Sequence, residues 1–309
     1  MNYHTFHNSL KDISKNTEYH FYLIGGFVRD RLLGIENLTD IDIAVEYHFE
    51  EFLKVFNEYF ETKPQMISRF KTAAYSIDGL RVDIITARRE DYDSPGVLPD
   101  IEPAGIEDDI ERRDFTINSM AMMPETEEII DNLGGLDDLR SGLVRANRKG
   151  LFTEDPTRIF RLFKYSNRLK FDIEKNTFIQ LQESLKNEDL FSNVSKSRIS
   201  SEWKTLINDR GASASLMELD RYSVIERIMG SKVIFNHCSL TGLSDFEKTV
   251  LIFIDNDKQI IDICDILLNG VKKIEKDMIL SLTELHRRGV ITNSRIMEKY
   301  PALVRRIQT

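Results

Sequence analysis

The sequence predicts an α+β chain: a small head with a mixed sheet and helices, then an all-α neck and body. Three observations carry this prediction. Short apolar runs with a period of two, punctuated by turn residues, fill the first third of the chain. From about residue 150 the apolar spacing is helical nearly throughout. Proline also becomes scarce, with only Pro301 following Pro156. The predicted segments are residues 1–136 for the head, 137–209 for the neck and 210–309 for the body or tail.

Composition bounds the function. The chain has 309 residues, 41% hydrophobic and 30% charged, as expected of a globular protein. Its net charge of −9 argues against a generic nucleic-acid coat, although a local basic groove stays compatible. The two cysteines, Cys238 and Cys264, are too few and too far apart for a zinc site or a disulfide framework. The six histidines show no metal-ligand spacing. The N-terminus lacks the apolar core of a signal peptide, and no apolar run approaches the roughly 18 residues of a membrane helix. A cytoplasmic protein without membrane association is expected.

The elements follow in order. Residues 20–26, HFYLIGG, read as a strand ending in a glycine turn, and 27–34, FVRDRLLG, as a short helix closed by Gly34. Ile41, Ile43 and Val45 mark a strand over 41–46. Phe49, Leu53, Phe56 and Phe60 share a helical face over 48–60. TAAYSI and LRVDIITA read as strands joined by the hairpin turn Asp78-Gly79. Residues 87–114 are polar, with Pro95, Gly96, Pro99, Pro103 and Gly105, and read as a long loop, a length often tied to function. Asp155 as N-cap and Pro156 at the first helical position start the next helix. Further helices are predicted at 174–186, 197–208, 213–229, 245–256 and 271–288.

Two aspartates stand out in LTDIDIAVE, residues 38–46. Strand side chains alternate, so Asp40 and Asp42 point the same way, roughly 7 Å apart. Two like charges so placed repel unless a cation neutralises them. Mg²⁺ takes a few carboxylates together with phosphate oxygens and water, so such a pair suits metal-assisted phosphoryl transfer. The plainer reading is the wet face of an edge strand. Upstream lies GGFVRD, residues 25–30, a strand, glycine turn and helix. Gly25 and Gly26 allow backbone N–H groups to approach a phosphate, and Arg29 in the first turn is within reach of a triphosphate. Neither a dinucleotide fingerprint nor a Walker A loop is present. A glycine pair followed by D-x-D on the next strand is the nucleotidyltransferase arrangement.

Four motifs occur in a fixed order: LIGGFVRDRLLG…TDIDIAVE, RRDFTINSMAM (112–122), DNLGGLDDLRSGLVRA (131–146) and EDPTRIFRLFKYSNRLKF (154–171). Together they resemble the class II, bacterial-type tRNA nucleotidyltransferases (CCA-adding enzymes) and the related bacterial poly(A) polymerases. The resemblance covers about residues 20–210; beyond it the match is only helical, and the body is short for the family. It implies a nucleotidyltransferase head, Mg²⁺ ions held by Asp40 and Asp42, tRNA as partner, and CTP and ATP as substrates.

The remaining motifs have a physical and a family reading. Arg112, Arg113 and Asp114 form a charged cluster at a predicted helix start, where Asp114 suits the cap position. The resemblance assigns an arginine here to the triphosphate and an Arg–Asp pair to the ribose, with Asn118 supporting the loop. On the helix after Asp155, at about 100° per residue, Arg158, Arg161 and Arg168 share an arc opposite Ile159, Leu162 and Phe163. Asp155 lies one turn before Arg158, close enough to pair with it. The resemblance makes these two the readers of the Watson–Crick edge of the incoming base. Lys164 stands where many relatives have arginine, giving charge without a planar fork. Between Arg145 and Lys170 stand eight Lys or Arg against two Asp or Glu, suited to a phosphate-rich cleft. Asp83 on a neighbouring strand is a candidate third acidic group, or a partner of Arg81 or Arg88. GGLDDLRSG, 134–142, reads as a connector resembling the family hinge, and SRISSEWKTLI, 197–207, resembles the motif bracing the nucleotide pocket, with Trp203 in the core.

The expected function is template-independent transfer of CMP and AMP to the 3′ end of tRNA. Its alternatives are an A-adding or CC-adding partial enzyme, a poly(A) polymerase, or a non-catalytic RNA-binding relative.

Overall fold

The structure, a computed structural model, describes residues 3–35, 38–94, 96–256, 259–288 and 294–308. Pro95 of the predicted loop lies outside them. The described chain forms two compact units. The first holds residues 1–94, 98–151 and 172–177, and the second 95–97, 152–171 and 178–309. Neck and body thus form one unit, and the head extends past residue 136.

The first unit opens with α1 (Tyr3–Asn16) and continues through β1 (Phe21–Ile24), α2 (Gly26–Leu32), β2 (Asp40–Val45) and α3 (Phe49–Tyr59). Next come β3 (Met66–Ile67), β4 (Thr72–Ile77), β5 (Leu80–Thr86), β6 (Arg88–Asp91), β7 (Asp100–Pro103) and α4 (Ile106–Glu111). A 3₁₀ turn (Thr116–Asn118), β8 (Ala121–Met122), β9 (Ile129–Ile130), α5 (Gly135–Ser141), β10 (Leu143–Val144) and β11 (Asp172–Ile173) complete it. The main sheet runs β3-β4-β5-β2-β1-β8-β9, with β2 and β5 parallel and the other pairs antiparallel.

Alternation along β2 separates two faces. Ile41, Ile43 and Val45 are fully buried on one, where Phe21, Phe52, Phe56 and Tyr75 pack ring against ring. Asp40, Asp42 and Ala44 lie on the other, and Ala44 packs there beneath Ile106 and Ile110 of α4. One strand therefore has a carboxylate end and an apolar end on a single face. The β4–β5 turn needs positive φ at both central positions, and Asp78 (+47°) and Gly79 (+89°) supply it.

The predicted polar loop over 87–114 is more structured than its composition suggests. β6 and β7 form a two-stranded ribbon with Arg88 opposite Pro103, and α4 follows. Charged side chains on a ribbon give no apolar alternation to read. Likewise 134–142, predicted as a connector, contains α5, with left-handed Gly134 and Gly142 at its two ends.

The second unit is helical: α6 (Leu151–Glu154), α7 (Arg158–Leu169), α8 (Lys175–Ser184), α9 (Lys196–Ile207), α10 (Ala212–Arg221), α11 (Val224–Met229) and α12 (Asp245–Ile252), then α13 (Ile260–Leu267), α14 (Lys273–Arg288), α15 (Ser294–Lys299) and α16 (Pro301–Gln308). The single helix predicted over 213–229 is broken at Ser223, whose φ is +51°. α7 crosses α10 closely at Gly211, where an added Cβ would meet the Arg168 backbone N at 2.8 Å. Trp203 is fully buried, and its Nε1 donates to Thr249 Oγ1 at 3.0 Å. Ser244 and Glu247 form a capping box that starts α12.

Candidate active site

In the first unit three groups converge on the glycine turn. Gly25 has φ +67°, a conformation that favours glycine. A Cβ there would stand 3.0 Å from Arg113 Nη1 and 3.8 Å from Asp42 Oδ2. The turn's conformation calls for glycine, and a Cβ would also press on the end of Arg113. The Gly25 N–H is taken by Met120 O at 3.3 Å, so that donor is not on offer to a phosphate. Arg29 also departs from expectation. It is 2% exposed, donating to Asn118 Oδ1 at 2.5 Å and to Asp30 Oδ1 at 2.8 Å. It bolts α2 to the 3₁₀ turn rather than reaching outward. Asn118 Nδ2 in turn donates to Asp114 Oδ1 at 3.4 Å, so Asn118 links Arg29 to Asp114.

Asp40 and Asp42 differ sharply. Asp40 is 76% exposed, whereas Asp42 is half-buried. Burial pushes the Asp42 carboxyl up to about 6; Arg113 pulls it down, and Asp83 and Asp40 push it up again. In the parallel register Asp40 stands opposite Arg81, and Asp42 opposite Asp83. Arg81 Nη2 donates to Asp83 Oδ2 at 2.8 Å, and Arg81 Nε lies 3.6 Å from Asp40 Oδ1. Asp83 Oδ1 is buried without a hydrogen-bond partner. These residues fit a hard divalent cation: the donors are all carboxylate oxygens, one is orphaned, and Asp42 is disfavoured as a lone anion. Among the described residues no three potential ligands already converge on one point. An ion here would lean on two carboxylates of the protein and take its remaining ligands from outside it.

Arg112, Arg113 and Asp114 follow α4 and precede the 3₁₀ turn, rather than starting an α-helix. Both arginines bond Asp109, which sequence reasoning missed. Asp109 is fully buried on α4, three and four residues before them. Its burial favours the neutral acid, but the charges of Arg113 and Arg112 outweigh that and hold the carboxyl below its usual range. Asp114 does not cap: the cap position of the 3₁₀ turn is Phe115, because the chain enters the turn one residue later than the sequence suggests. Asp114 Oδ1 accepts from the Phe115 N–H at 2.8 Å and from Asn118 Nδ2.

In the second unit, regular helix begins at Arg158. Before it, Arg158 N bonds Asp155 O in a turn of 3₁₀ type, and Asp155 Oδ1 caps Thr157 N at 3.0 Å. Asp155 and Arg158 are neighbours without being each other's main partner. Arg158 Nε is 3.9 Å from Asp155 Oδ2, while Arg158 Nη1 is 2.6 Å from Glu154 Oε2. Asp155 Oδ1 instead takes Arg198 Nη2 at 2.6 Å. Arg198 was not singled out in SRISSEWKTLI, and no local spacing points to it. Ile159, Leu162 and Phe163 are buried as predicted, but Arg158 and Lys164 are buried too. Lys164 Nζ sits 4.9 Å over the Tyr165 ring, and Arg161 lies 3.8 Å from Glu202. The local excess of positive charge is therefore partly neutralised in place. Arg145 is likewise held by Asp138 at 2.9 Å in the first unit.

Residues 21–145 match the family described as the Poly A polymerase head domain. The chain is 35% identical over 211 residues to the A-adding tRNA nucleotidyltransferase of Aquifex aeolicus, covering 67% of this chain and 25% of that protein. It is 31% identical over 287 residues to the CCA-adding enzyme of Ligilactobacillus salivarius, covering 90% of this chain and 66% of that one. A solved complex of a CCA-adding enzyme with ATP superposes with a TM-score of 0.63 at 26% identity, covering 98% of this chain and 67% of that chain. No helix among the described residues is long and apolar enough to cross a membrane. With its head domain matched and its relatives agreeing along both units, the chain belongs to the tRNA nucleotidyltransferase and poly(A) polymerase family.

Proposed function

We propose that this protein transfers CMP and AMP from CTP and ATP to the 3′ end of tRNA, releasing pyrophosphate. The observation that carries the reading is the convergence of Asp42 and Arg113 on the tight turn at Gly25, beside the Asp40 end of β2. Carboxylates for metal and a guanidinium for phosphate meet there on one sheet face. Asp40 and Asp42 would hold Mg²⁺, with Asp83 as a third acidic neighbour. Mg²⁺, when bound, supplies a positive centre for the triphosphate and for the attacking oxygen. Arg113 directs positive charge towards the triphosphate, and Asp114 and Asn118 support the ribose end. The 3′ oxygen of the RNA joins the α-phosphorus, and the bond to pyrophosphate breaks.

Asp155 and Arg158 would read the base. A carboxylate accepts and a guanidinium donates, so the pair offers both kinds of hydrogen bond without a template. Arg161 and Lys164 add positive charge along the same helix.

The assay is direct. The protein is incubated with CTP, ATP and tRNA ending in the discriminator base, in C or in CC, and the added nucleotides are read. Addition of C, C and A to the first substrate is expected. Addition of A alone, and only to CC-ended tRNA, would establish the second reading, an A-adding enzyme, which the name of the Aquifex relative favours. AMP runs on other RNAs would indicate a poly(A) polymerase. No addition to any substrate would mark a non-catalytic relative.

A further inference from the structure

We infer that Asp109 is a positioning residue that divides the two neighbouring arginines between tasks, aiming Arg113 at the nucleotide's phosphates and reserving Arg112 for structure. The inference rests on the nucleotidyl-transfer reading above. Asp109 sits on α4 with Arg112 and Arg113 at i+3 and i+4. Its two oxygens are assigned separately. Oδ1 accepts from Arg112 Nε at 3.0 Å and Nη2 at 2.6 Å, and from the Arg88 N–H at 3.3 Å. Oδ2 accepts from Arg113 Nε at 3.2 Å and Nη2 at 2.7 Å.

The two guanidinium groups then differ in what remains. Arg112 Nη1 donates to Glu90 Oε1 at 2.8 Å, so all three of its nitrogens are engaged by carboxylates. Arg113 Nη1 is on the edge turned away from Asp109, at the Gly25 turn. A guanidinium is planar, so fixing Nε and Nη2 on one carboxylate fixes the direction of Nη1. The backbone beneath is also held: Asn147 Nδ2 donates to Arg113 O at 2.9 Å, and Arg148 Nη1 to Arg113 O at 3.1 Å. Asp109 is fully buried, so it reaches a nucleotide only through Arg113.

The test combines kinetics with a direct view of Arg113. Asp109→Asn keeps the shape and loses the charge. Asp109→Glu keeps the charge and moves it by one methylene, and it serves if the first variant does not fold. In either, the KM for ATP or CTP should rise about tenfold or more, with kcat changed much less, if Arg113 binding energy is lost before chemistry. In an Arg113→Ala background the same change at Asp109 should cost less than about twofold further, because Asp109 acts through Arg113. In ¹⁵N-arginine spectra of the whole protein, the Arg113 Nε–H signal, assigned by Arg113→Lys, should shift on Asp109 substitution. An unchanged Arg113 signal, an unchanged KM in a folded variant, or full additivity with Arg113→Ala would each overturn the proposal. A parent protein that adds no nucleotide would overturn the transfer reading itself, and this proposal with it.

Discussion

Asp155 is shared between two arginines: its Oδ1 meets Arg198 Nη2 at 2.6 Å, while Arg158 Nε stands 3.9 Å from Oδ2. Arg198 Nη1 also donates to Gly96 O at 2.7 Å, and Gly96 N donates to Glu154 O at 3.0 Å. The proposed base-reading carboxylate is therefore oriented by a residue on α9.

If Asp155 and Arg158 read the base, replacing either by Ala should reduce discrimination among nucleoside triphosphates. Each lost charge-assisted contact costs about 1.5–3 kcal/mol, or roughly 10- to 150-fold in selectivity. Arg198→Ala should behave like a milder Asp155→Ala, since it frees the carboxylate without removing it. Competition between labelled ATP or CTP and excess UTP or GTP measures this. Parent-like rejection by all three variants would place base selection elsewhere.

Asp40→Ala and Asp42→Ala should each abolish nucleotide addition and leave tRNA binding, followed by gel shift, largely intact. Stability separates lost chemistry from lost fold. Asp42 is raised to about 6 from an ordinary 3.8. The native state then holds the proton more tightly, so stability falls as pH rises between those values. Asp42→Asn should remove that loss and melt no lower than the parent at pH 7 without metal. A lower melting temperature would contradict the assignment of a destabilising buried carboxylate.

The segment between β6 and β7 touches the neighbours of the proposed base-reading residues, with Gly96 held by Glu154 and Arg198. Through those contacts the segment would influence how Asp155 and Arg158 are held when the base is cytosine and when it is adenine. Replacing residues 92–99 by two glycines should remove AMP incorporation and spare CMP incorporation, read on sequencing gels with tRNA ending in CC and in the discriminator base. Undiminished AMP addition would exclude that role.

Glu127 joins the first two helices of the head to the sheet edge. It meets Lys11 at 2.8 Å and Arg31 at 2.5 Å. Hydrogen bonding by Lys11 first, with Arg31 adding to it, holds its carboxyl down to about 2 against the opposing effect of burial. The sign follows from linkage: a depressed carboxyl contributes stability above its unfolded value near 4.5, and this is lost as pH falls towards about 2. Glu127→Gln should lower the melting temperature slightly at pH 7 and flatten its decline between those pH values. The group is 37% exposed, so solvent screening keeps the effect small, and high salt should shrink it further.

The sequence by itself determined the strongly periodic elements, among them β2, α3, the β4–β5 hairpin and α7, and the placing of Asp40 and Asp42 on one strand face. It also placed Ile159, Leu162 and Phe163 in the core. These depend on local periodicity, which a strand or helix expresses whatever it packs against. The tertiary structure alone decided the partners. Arg29 reads as an outward cation but is buried on Asn118, because the 3₁₀ turn comes to cover it. Asp155 is oriented by Arg198, brought by another helix. The ribbon at 88–103 shows no alternation because its charges pair within β6, as Arg88 does with Glu90, and outside it with Arg112 and Asp108. Asp109 lies between: its i+3 and i+4 spacing to the arginines is visible in the chain. Its burial, and the choice of which arginine faces Gly25, come only from packing α4 onto the sheet. A side chain's face is set by its own backbone, whereas its partner is set by segments that the chain folds beside it.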